Sequence, residues 1–169
     1  PTTGNRTVRV TVNDGDGGTS ANADVTVTVA AVNFGQALIF DGSNDHVEHA
    51  DNNLLDLTGD YTLEAWIRPD TLSTFGIFSK WVAGTWPPNY WFHLAGGDVD
   101  FFNGTTIRGP TIDANTWTHV AVTVDASDKQ KLYIDGSYVQ QTDAGSSPAN
   151  SGKLYIGYRG DAYRFDGMM

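Results

Sequence analysis

Apolar and polar residues alternate with a period of two along most of the chain, and this pattern predicts β-strands. Residues 8–12 and 25–29 each place Val at every second position, with Thr or Arg between them. A loop rich in Asn, Asp and Gly joins the two segments, which is typical of a β-hairpin. An isolated hairpin is marginally stable. We therefore expect its valine face to dock on the rest of the chain or on a second copy.

From residue 34 onward, short apolar runs end at turn residues. The predicted strands are residues 37–40, 61–67, 77–81, 90–94, 99–102, 117–124, 131–134, 137–139 and 153–157. Asn103-Gly104 and Asp135-Gly136 are typical of hairpin turns, and the second predicts a type I′ turn. No segment holds a helical period of 3.6 residues. The pattern therefore predicts an all-β sandwich.

Composition narrows the range of partners. The 169 residues include 20 acidic and 10 basic side chains, which gives a formal charge of −10. That balance argues against nucleic acids and anionic membrane surfaces, because both attract clustered Lys and Arg. The sequence has no apolar run of the ~18 residues that a membrane span needs. The absence of Cys excludes disulfides, zinc–thiolate sites and thiol nucleophiles.

Four segments in order resemble a known family. The stretch ALIFDGSNDHVEHADNNLLDLTGDYTLEAWIRPD, residues 37–70, resembles the opening of laminin G-like domains of the concanavalin A-like lectin/glucanase superfamily. The segments IFSKW, WTHVAVTVDASDKQKLYIDGSYV and KLYIGYRGDAYRFDGMM follow in that family's order. The resemblance covers residues 34–169 and implies a two-sheet antiparallel jelly roll. Such domains continue past the equivalent of Gly167 with an acidic residue and a last strand, so we expect that strand to be missing and a sheet edge to be exposed.

Residues 1–33 resemble a different module. The segment RTVRVTVNDGDGGTSANADVTVTVAAVN is similar to the final hairpin of a cadherin-like or immunoglobulin-like repeat from a large bacterial surface protein. We expect two parts, a terminal hairpin with its junction (1–33) and the laminin G-like domain (34–169). The resemblance implies a secreted or cell-surface location.

The carboxylates do not form a catalytic pattern. Glycoside hydrolysis needs two carboxyl groups that face one groove. The two glutamates, Glu48 and Glu64, fall on different predicted strands. Asp98 and Asp100 share a strand face, but they lie beside a turn, and we expect a solvated edge there. No Gly-x-Ser-x-Gly nucleophile elbow occurs. The sequence therefore predicts a protein that is not an enzyme.

Calcium is the metal that the oxygen-rich loops favour. Ca²⁺ takes six to eight oxygen ligands, and Asp41, Asn44 and Asp45 offer three side chains on one loop. Laminin G-like relatives carry a structural calcium near a sheet rim, and some complete it with the acidic residue that would follow the present C-terminus. Asp14 and Asp16 form a second candidate loop. Plain turns are the alternative in both places.

The aromatic residues suggest a sugar-binding surface. A loop of Gly and Pro is surrounded by four aromatic residues: Trp81, Trp86, Tyr90 and Trp91. In lectins, sugar rings stack on aromatic side chains of this kind. We expect Trp86 to be exposed on that loop. Trp81 and Trp91 fall in predicted strands, so a core position is their alternative.

Other aromatic and imidazole side chains are weaker candidates for ligand binding or are expected to be structural. A polar and aromatic loop near the C-terminus is a second candidate for ligand binding: Tyr158, Arg159, Asp161 and Tyr163. We expect Trp66 and Trp117 to pack in the core. His93 and His119 are expected to be structural.

These observations favour a non-catalytic binding module of a large secreted or surface protein, either carbohydrate-binding or adhesive, with calcium as a structural ion. A structural spacer or adhesion domain with protein partners is the alternative, and a glycan-active hydrolase is the least favoured. Glycans are the predicted partners. Self-association through the exposed sheet edge or the hairpin is also expected, because unpaired strand edges pair with other chains.

Overall fold

The computed structural model describes residues 6–10, 23–27, 37–82, 84–146 and 148–169. Fourteen strands and one short 3₁₀ helix, Asn53–Leu55, occur in these ranges. The side chain of Asn52 caps this helix by accepting the Leu54 N–H at 2.9 Å. Among the described residues, no helix is long and apolar enough to cross a membrane.

The chain divides into two compact units, Pro1–Gln36 and Ala37–Met169. In the first unit, β1 (Arg6–Val10) pairs antiparallel with β2 (Ala23–Val27), and Val8 lies opposite Val25. The predicted pairing is thereby confirmed for the described part of the two strands, and the likeness to a cadherin-like or immunoglobulin-like repeat stays a prediction. The calcium candidates Asp14 and Asp16 lie outside the described residues. The docking of this hairpin stays a prediction.

The second unit contains two antiparallel sheets, and sheet I holds six of its strands. They are β3 (Ile39–Asp41), β5 (Tyr61–Pro69), β10 (Thr118–Asp125), β11 (Lys129–Ile134), β12 (Ser137–Asp143) and β14 (Asp166–Met168). Their spatial order is β12-β11-β10-β5-β14-β3. Asp135 and Gly136 turn the chain from β11 into β12 with φ of 50° and 74°. Positive φ at both positions is what a type I′ turn requires, so the predicted hairpin is confirmed.

Sheet II holds the other six strands. They are β4 (Val47–His49), β6 (Phe75–Trp81), β7 (Tyr90–Ala95), β8 (Asp98–Phe102), β9 (Thr106–Thr111) and β13 (Lys153–Ile156). Their order is β4-β13-β6-β7-β8-β9. The two sheets form an all-β jelly-roll sandwich, which confirms the predicted fold class.

The core lies between the two sheets and follows from strand alternation. On β10, Val120, Val122 and Val124 point inward, and on β7, Phe92 and Leu94 do the same. Full burial of such a side chain contributes roughly 1.5–3 kcal/mol. Every second residue of these strands therefore fixes one face of its sheet against the core, and the residues between them face outward.

The C-terminal residues form a short strand of sheet I. β14 lies between β3 and β5 and pairs with both. Its pairing with β5 is short, because only Gly167 and Met168 take part, opposite Pro69 and Arg68. In the described part of the chain, residues 61–67 of β5 pair on the β10 side alone. The expected absence of a further strand beyond Gly167 stays a prediction.

Two tryptophans are not where the sequence placed them. Trp66 and Trp117 were expected in the core, but they are 57% and 41% exposed. Ala65 and Ile67 take the inward positions of β5, so Trp66 between them must face outward. Trp117 directly precedes β10 and lies outside the core cluster. The apolar character of these residues suggested burial, and the strand register overrides it.

Candidate functional site

The outer face of sheet II collects aromatic and charged side chains because β7 has large residues on both of its faces. Tyr90, Phe92 and Leu94 belong to the core, so Trp91 and His93 point away from it. Across the sheet, Trp91 lies opposite Phe102 of β8. The outer face therefore carries aromatic rings that are not part of the core.

The segment that follows β13 packs over this outer face at β6. A side chain at Gly76 would place its Cβ 2.6 Å from the Tyr158 carbonyl carbon, so only glycine permits this approach. The Ser79 hydroxyl donates toward the carbonyl oxygens of Tyr158 and Arg159, at 3.1 and 2.8 Å. The Gly76 N–H donates to the Tyr163 carbonyl at 2.8 Å. The segment is thereby fixed on β6 from both ends.

Arg159 is the centre of the resulting cluster. Its guanidinium carbon lies 4.2 Å from the ring centres of Trp81 and Tyr163 and 5.0 Å from that of Trp91. Two hydrogen bonds to Asp161, Nε to Oδ1 at 2.7 Å and Nη2 to Oδ2 at 2.8 Å, hold the guanidinium plane. Cations over indole rings are attracted by the ring quadrupole. We call Trp81, Trp91, Arg159 and Tyr163 the Arg159 cluster.

Exposed rings border this cluster. Trp86 is 63% exposed, and its ring centre lies 5.1 Å from Phe102 and 6.5 Å from Trp81. The Trp81 indole N–H donates to the Thr85 carbonyl, which ties the loop before Trp86 to β6. Tyr163 is 40% exposed. Trp86 and Tyr163 therefore offer the ring surfaces that a ligand can reach.

A polar row crosses strands β7, β8 and β9 beside the rings. His93, Asp100 and Arg108 are successive cross-strand partners. His93 stacks on Trp91 with ring centres 3.5 Å apart, and Arg108 Nε donates to Asp100 Oδ2 at 2.9 Å. Asp100 is only 1% exposed, so the expectation of a solvated edge at Asp98 and Asp100 is wrong for Asp100. The neighbouring strands cover it.

Burial governs the charge states in this row. Desolvation lowers the pKa of His93 to about 4, so the imidazole is neutral at pH 7. Burial also raises the pKa of Asp100, and the hydrogen bond from Arg108 opposes that rise. Within the described residues, two buried polar atoms of this face lack a hydrogen-bond partner, Trp91 Nε1 and Asp100 Oδ1. One is a donor and the other is an acceptor.

Three of the four predicted ligand residues lie together. Trp81, Trp86 and Trp91 share the outer face of sheet II, where Trp81 and Trp91 are buried beneath Arg159 but stay outside the core cluster. Tyr90 points the other way and is a core residue, 2% exposed, whose pKa burial raises. It supports the sheet and presents no surface to a ligand.

The second candidate loop joins the same site. Arg159 and Tyr163 belong to the cluster, Asp161 orients Arg159, and Tyr158 stacks under the guanidinium of Arg164 at 4.0 Å. Sequence reasoning missed His93, Asp100 and Arg108 as one row. The two hairpins that join β7, β8 and β9 were visible signals for it, because hairpin register decides which residues lie opposite one another.

The predicted calcium loop forms a closed turn. Asp41 Oδ1 accepts the N–H groups of Ser43 and Asn44 at 2.8 and 3.1 Å, and these bonds lower the pKa of Asp41. Asp45 Oδ2 accepts the Asp41 N–H at 3.3 Å. The described residues contain no cluster of three or more His, Cys, Asp or Glu side chains arranged to hold a metal ion. Asn and carbonyl oxygens lie outside that criterion, so calcium at this loop stays a prediction.

The fold has solved counterparts among binding proteins. The SAP-like pentraxin of Limulus polyphemus superimposes with a TM-score of 0.55 at 17% identity, over 77% of this chain and 70% of that one. Domain 4 of the extracellular arabinanase AbnA from Geobacillus stearothermophilus, solved with arabinotriose, gives 0.57 at 20% identity, over 82% and 69%. The binding domain of botulinum neurotoxin DC, in complex with SialylT, gives 0.55 at 13%, over 79% and 38%.

A two-sheet sandwich of this kind defines a lectin-like class of protein. Residues 41–169 match the Laminin_G_3 family of the concanavalin A-like lectin/glucanases superfamily, and the chain belongs to that family. No curated protein matches the chain. Identities of 13–20% to these three solved structures show the fold alone.

Proposed function

We propose that this domain is a non-catalytic carbohydrate-binding module whose ligand lies on the outer face of sheet II. The observation that carries the proposal is the arrangement of rings there. Exposed Tyr163 lies against the Arg159 guanidinium, which Asp161 holds, and exposed Trp86 lies beside Trp81 of the same cluster. A sugar ring stacks on Trp86 or Tyr163, and its hydroxyl groups exchange hydrogen bonds with the polar residues beside them.

Preorganisation supports this site. Arg159 is fixed by the rings and by Asp161, and the segment that bears it is fixed by Gly76 and Ser79. A rigid surface loses little conformational entropy when a ligand binds. Two solved structures of the same fold, domain 4 of AbnA with arabinotriose and the neurotoxin binding domain with SialylT, favour a glycan as the class of ligand.

The placement of the carboxylates favours binding over catalysis. Glu48 lies on β4 of sheet II, whereas Glu64 lies on β5 of sheet I, so the two cannot flank one glycosidic bond. Asp98 is hydrogen-bonded to Thr111, and Asp100 is buried under Arg108. The same proposal includes secretion or display at a cell surface, where laminin G-like domains are often found, with calcium as a structural ion near Asp41.

A matched pair of variants tests the glycan site. The full chain is titrated by calorimetry with arabino-oligosaccharides and sialylated oligosaccharides, after a glycan array has identified binders. Trp86→Ala should weaken binding at least tenfold, which is about 1.4 kcal/mol. Trp66→Ala removes an equally exposed indole from the other sheet and should leave glycan binding unchanged. The proposal fails if the wild type binds no glycan, or if Trp86→Ala binds as tightly as the wild type.

A further inference from the structure

A second aromatic surface lies on the opposite side of the sandwich. Trp66 and Trp117 border an open groove on the outer face of sheet I, together with His119, Asp135 and Gly136. Trp66 lies directly opposite His119 in the sheet, and their ring centres are 5.3 Å apart. Exposed indoles that share one groove are typical of binding surfaces, because covering a large apolar ring with a partner contributes more binding free energy than covering a small side chain.

The groove carries carboxylates that are fixed in place. The His119 backbone N–H donates to Asp135 Oδ1 at 2.9 Å, and the type I′ turn holds Asp135 at the end of β11. Glu64 Oε2 lies 3.6 Å from His119 Nε2. Gly136 adds no side chain, and open space lies where its Cβ would be. The carboxylates of Asp135 and Glu64 therefore both lie beside the indoles.

The basic residues of this sheet already have acidic partners. Arg68 pairs with Asp70 at 3.0 Å, Lys131 with Asp125 at 2.7 Å, and Lys129 with Asp143. No Lys or Arg is among the residues that line the groove. The formal charge of −10 on the whole chain favours cationic partners over anionic ones. The groove thus combines aromatic faces with carboxylates that have no Lys or Arg partner among the lining residues.

We propose that the groove formed by Trp66 and Trp117 binds a lysine or arginine side chain of a protein partner. A cation over an indole face is attracted by the ring quadrupole, and the attraction grows when the ring is desolvated by a partner. Asp135 and Glu64 supply the opposite charge, and the alkyl part of the side chain covers the rings. This site is separate from the proposed glycan face and takes a different class of ligand.

The test uses a defined cationic probe on the full chain. Acetyl-tetralysine-amide is titrated while tryptophan fluorescence and heat are followed, and the same peptide with acetylated lysines is the neutral control. The charged peptide should saturate the site, and the acetylated peptide should not bind. Trp66→Ala should weaken binding at least tenfold, Glu64→Gln severalfold, and Trp86→Ala should leave it unchanged.

Several results would overturn the proposal. Absence of saturable binding by the wild type would mean that the groove is not a cation site. Equal binding by Trp66→Ala would mean that the negative net charge alone attracts the peptide. Sugar binding that is lost in Trp66→Ala would assign the groove to a glycan, and a dimer that is lost in Trp66→Ala would assign it to a second copy of the chain. If Trp66→Ala does not fold by circular dichroism, the double variant Glu64→Gln with Asp135→Asn decides the question, because it leaves both indoles in place.

Discussion

Lys80 is fully buried on β6, and its ammonium group is satisfied by oxygen atoms. Nζ lies 2.7 Å from Asp51 Oδ1, 2.9 Å from Asp56 Oδ1 and 2.5 Å from the Asn150 carbonyl oxygen. Three acceptors match the three N–H donors of an ammonium group. A buried charge is tolerable when it is paired in this way. Lys80 therefore joins the loop around residues 51–56 and the segment before β13 to sheet II.

Lys80→Met should destabilise the domain strongly. The substitution keeps the length of the side chain but leaves Asp56, which is mostly buried, without its cation. Removal of one partner from a buried pair costs about 3–5 kcal/mol. The measurement is the free energy of unfolding by denaturant. Lys129→Met is the control, because Lys129 and Asp143 form an exposed pair whose loss costs about 1 kcal/mol or less. Equal effects of the two substitutions would contradict the role given to Lys80.

His93 should make stability depend on pH. Its pKa is about 4 in the folded protein and near 6.5 when unfolded, because burial disfavours the charged form. Between these values the unfolded chain binds more protons, so the free energy of unfolding falls as pH drops from 6.5 towards 4. The limit of this loss is about 3 kcal/mol. Above pH 6.5 the contribution of His93 is constant.

His93→Phe isolates this effect, since phenylalanine keeps a ring against Trp91 and does not titrate. The difference between the two curves of unfolding free energy against pH should develop between pH 6.5 and 4. Asp100, whose raised pKa acts in the opposite sense, is present in both proteins and cancels in the difference. Parallel curves over this range would show that His93 is not desolvated as described.

At the scale of elements, one segment builds the candidate site. Residues 157–164 follow β13 and pack on β6, where they place Arg159 over the indoles of Trp81 and Trp91. β6 accepts this backbone because Gly76 has no side chain and because the Ser79 hydroxyl donates to two of its carbonyl oxygens. The site therefore depends on the fit between two elements that are far apart in sequence.

Gly76→Ala should displace the segment. The added Cβ would stand 2.6–2.9 Å from backbone atoms of Tyr158 and Arg159, and backbone cannot yield as a flexible side chain can. We expect a loss of a few kcal/mol of stability, about 1–3 by analogy with overpacked cores, together with altered near-ultraviolet dichroism of Trp81 and Trp91. Ser79→Ala should have a smaller effect of the same kind. Thr123→Ala, on the outer face of sheet I, should have neither.

At the scale of the whole molecule, the two outer faces of the sandwich differ in chemistry. Sheet II presents rings around Arg159, whereas sheet I presents rings beside carboxylates. The core separates them, so the two proposed ligands occupy opposite faces and should bind without competition. Self-association of this protein stays a prediction.

Calcium binding is a prediction about the stability of the whole domain. Ca²⁺ that binds the native state at the Asp41 loop should raise the midpoint of thermal unfolding, by roughly 5–10 °C at a hundredfold excess over Kd. Mg²⁺ and EDTA serve as controls. Asp41→Ala lowers stability by itself because it removes two turn bonds, so the decisive quantity is the calcium-dependent increment. If calcium does not raise the unfolding midpoint of the wild type, the residues of the Asp41 loop serve only to form the turn.

The sequence by itself determined most of the strands, the Asp135-Gly136 turn and the fold class, whereas β9 and β14 were not predicted. Alternation on β10 and the Asp135-Gly136 turn are local signals, and local backbone preferences were enough to predict them. The loop with Trp86 could also be predicted as an exposed ring between Gly84 and Pro87. These features depend on neighbours within a few residues.

Only the tertiary structure decided which face of each strand meets the core. Alternation separates two faces but cannot rank them when both are apolar, as in the Tyr-Trp-Phe-His-Leu segment of β7. The sheet order brings Arg159 over Trp81 and covers Asp100 with β7 and β9. Such contacts join residues distant in sequence, and their energies come from packing between sheets, so no local pattern encodes them.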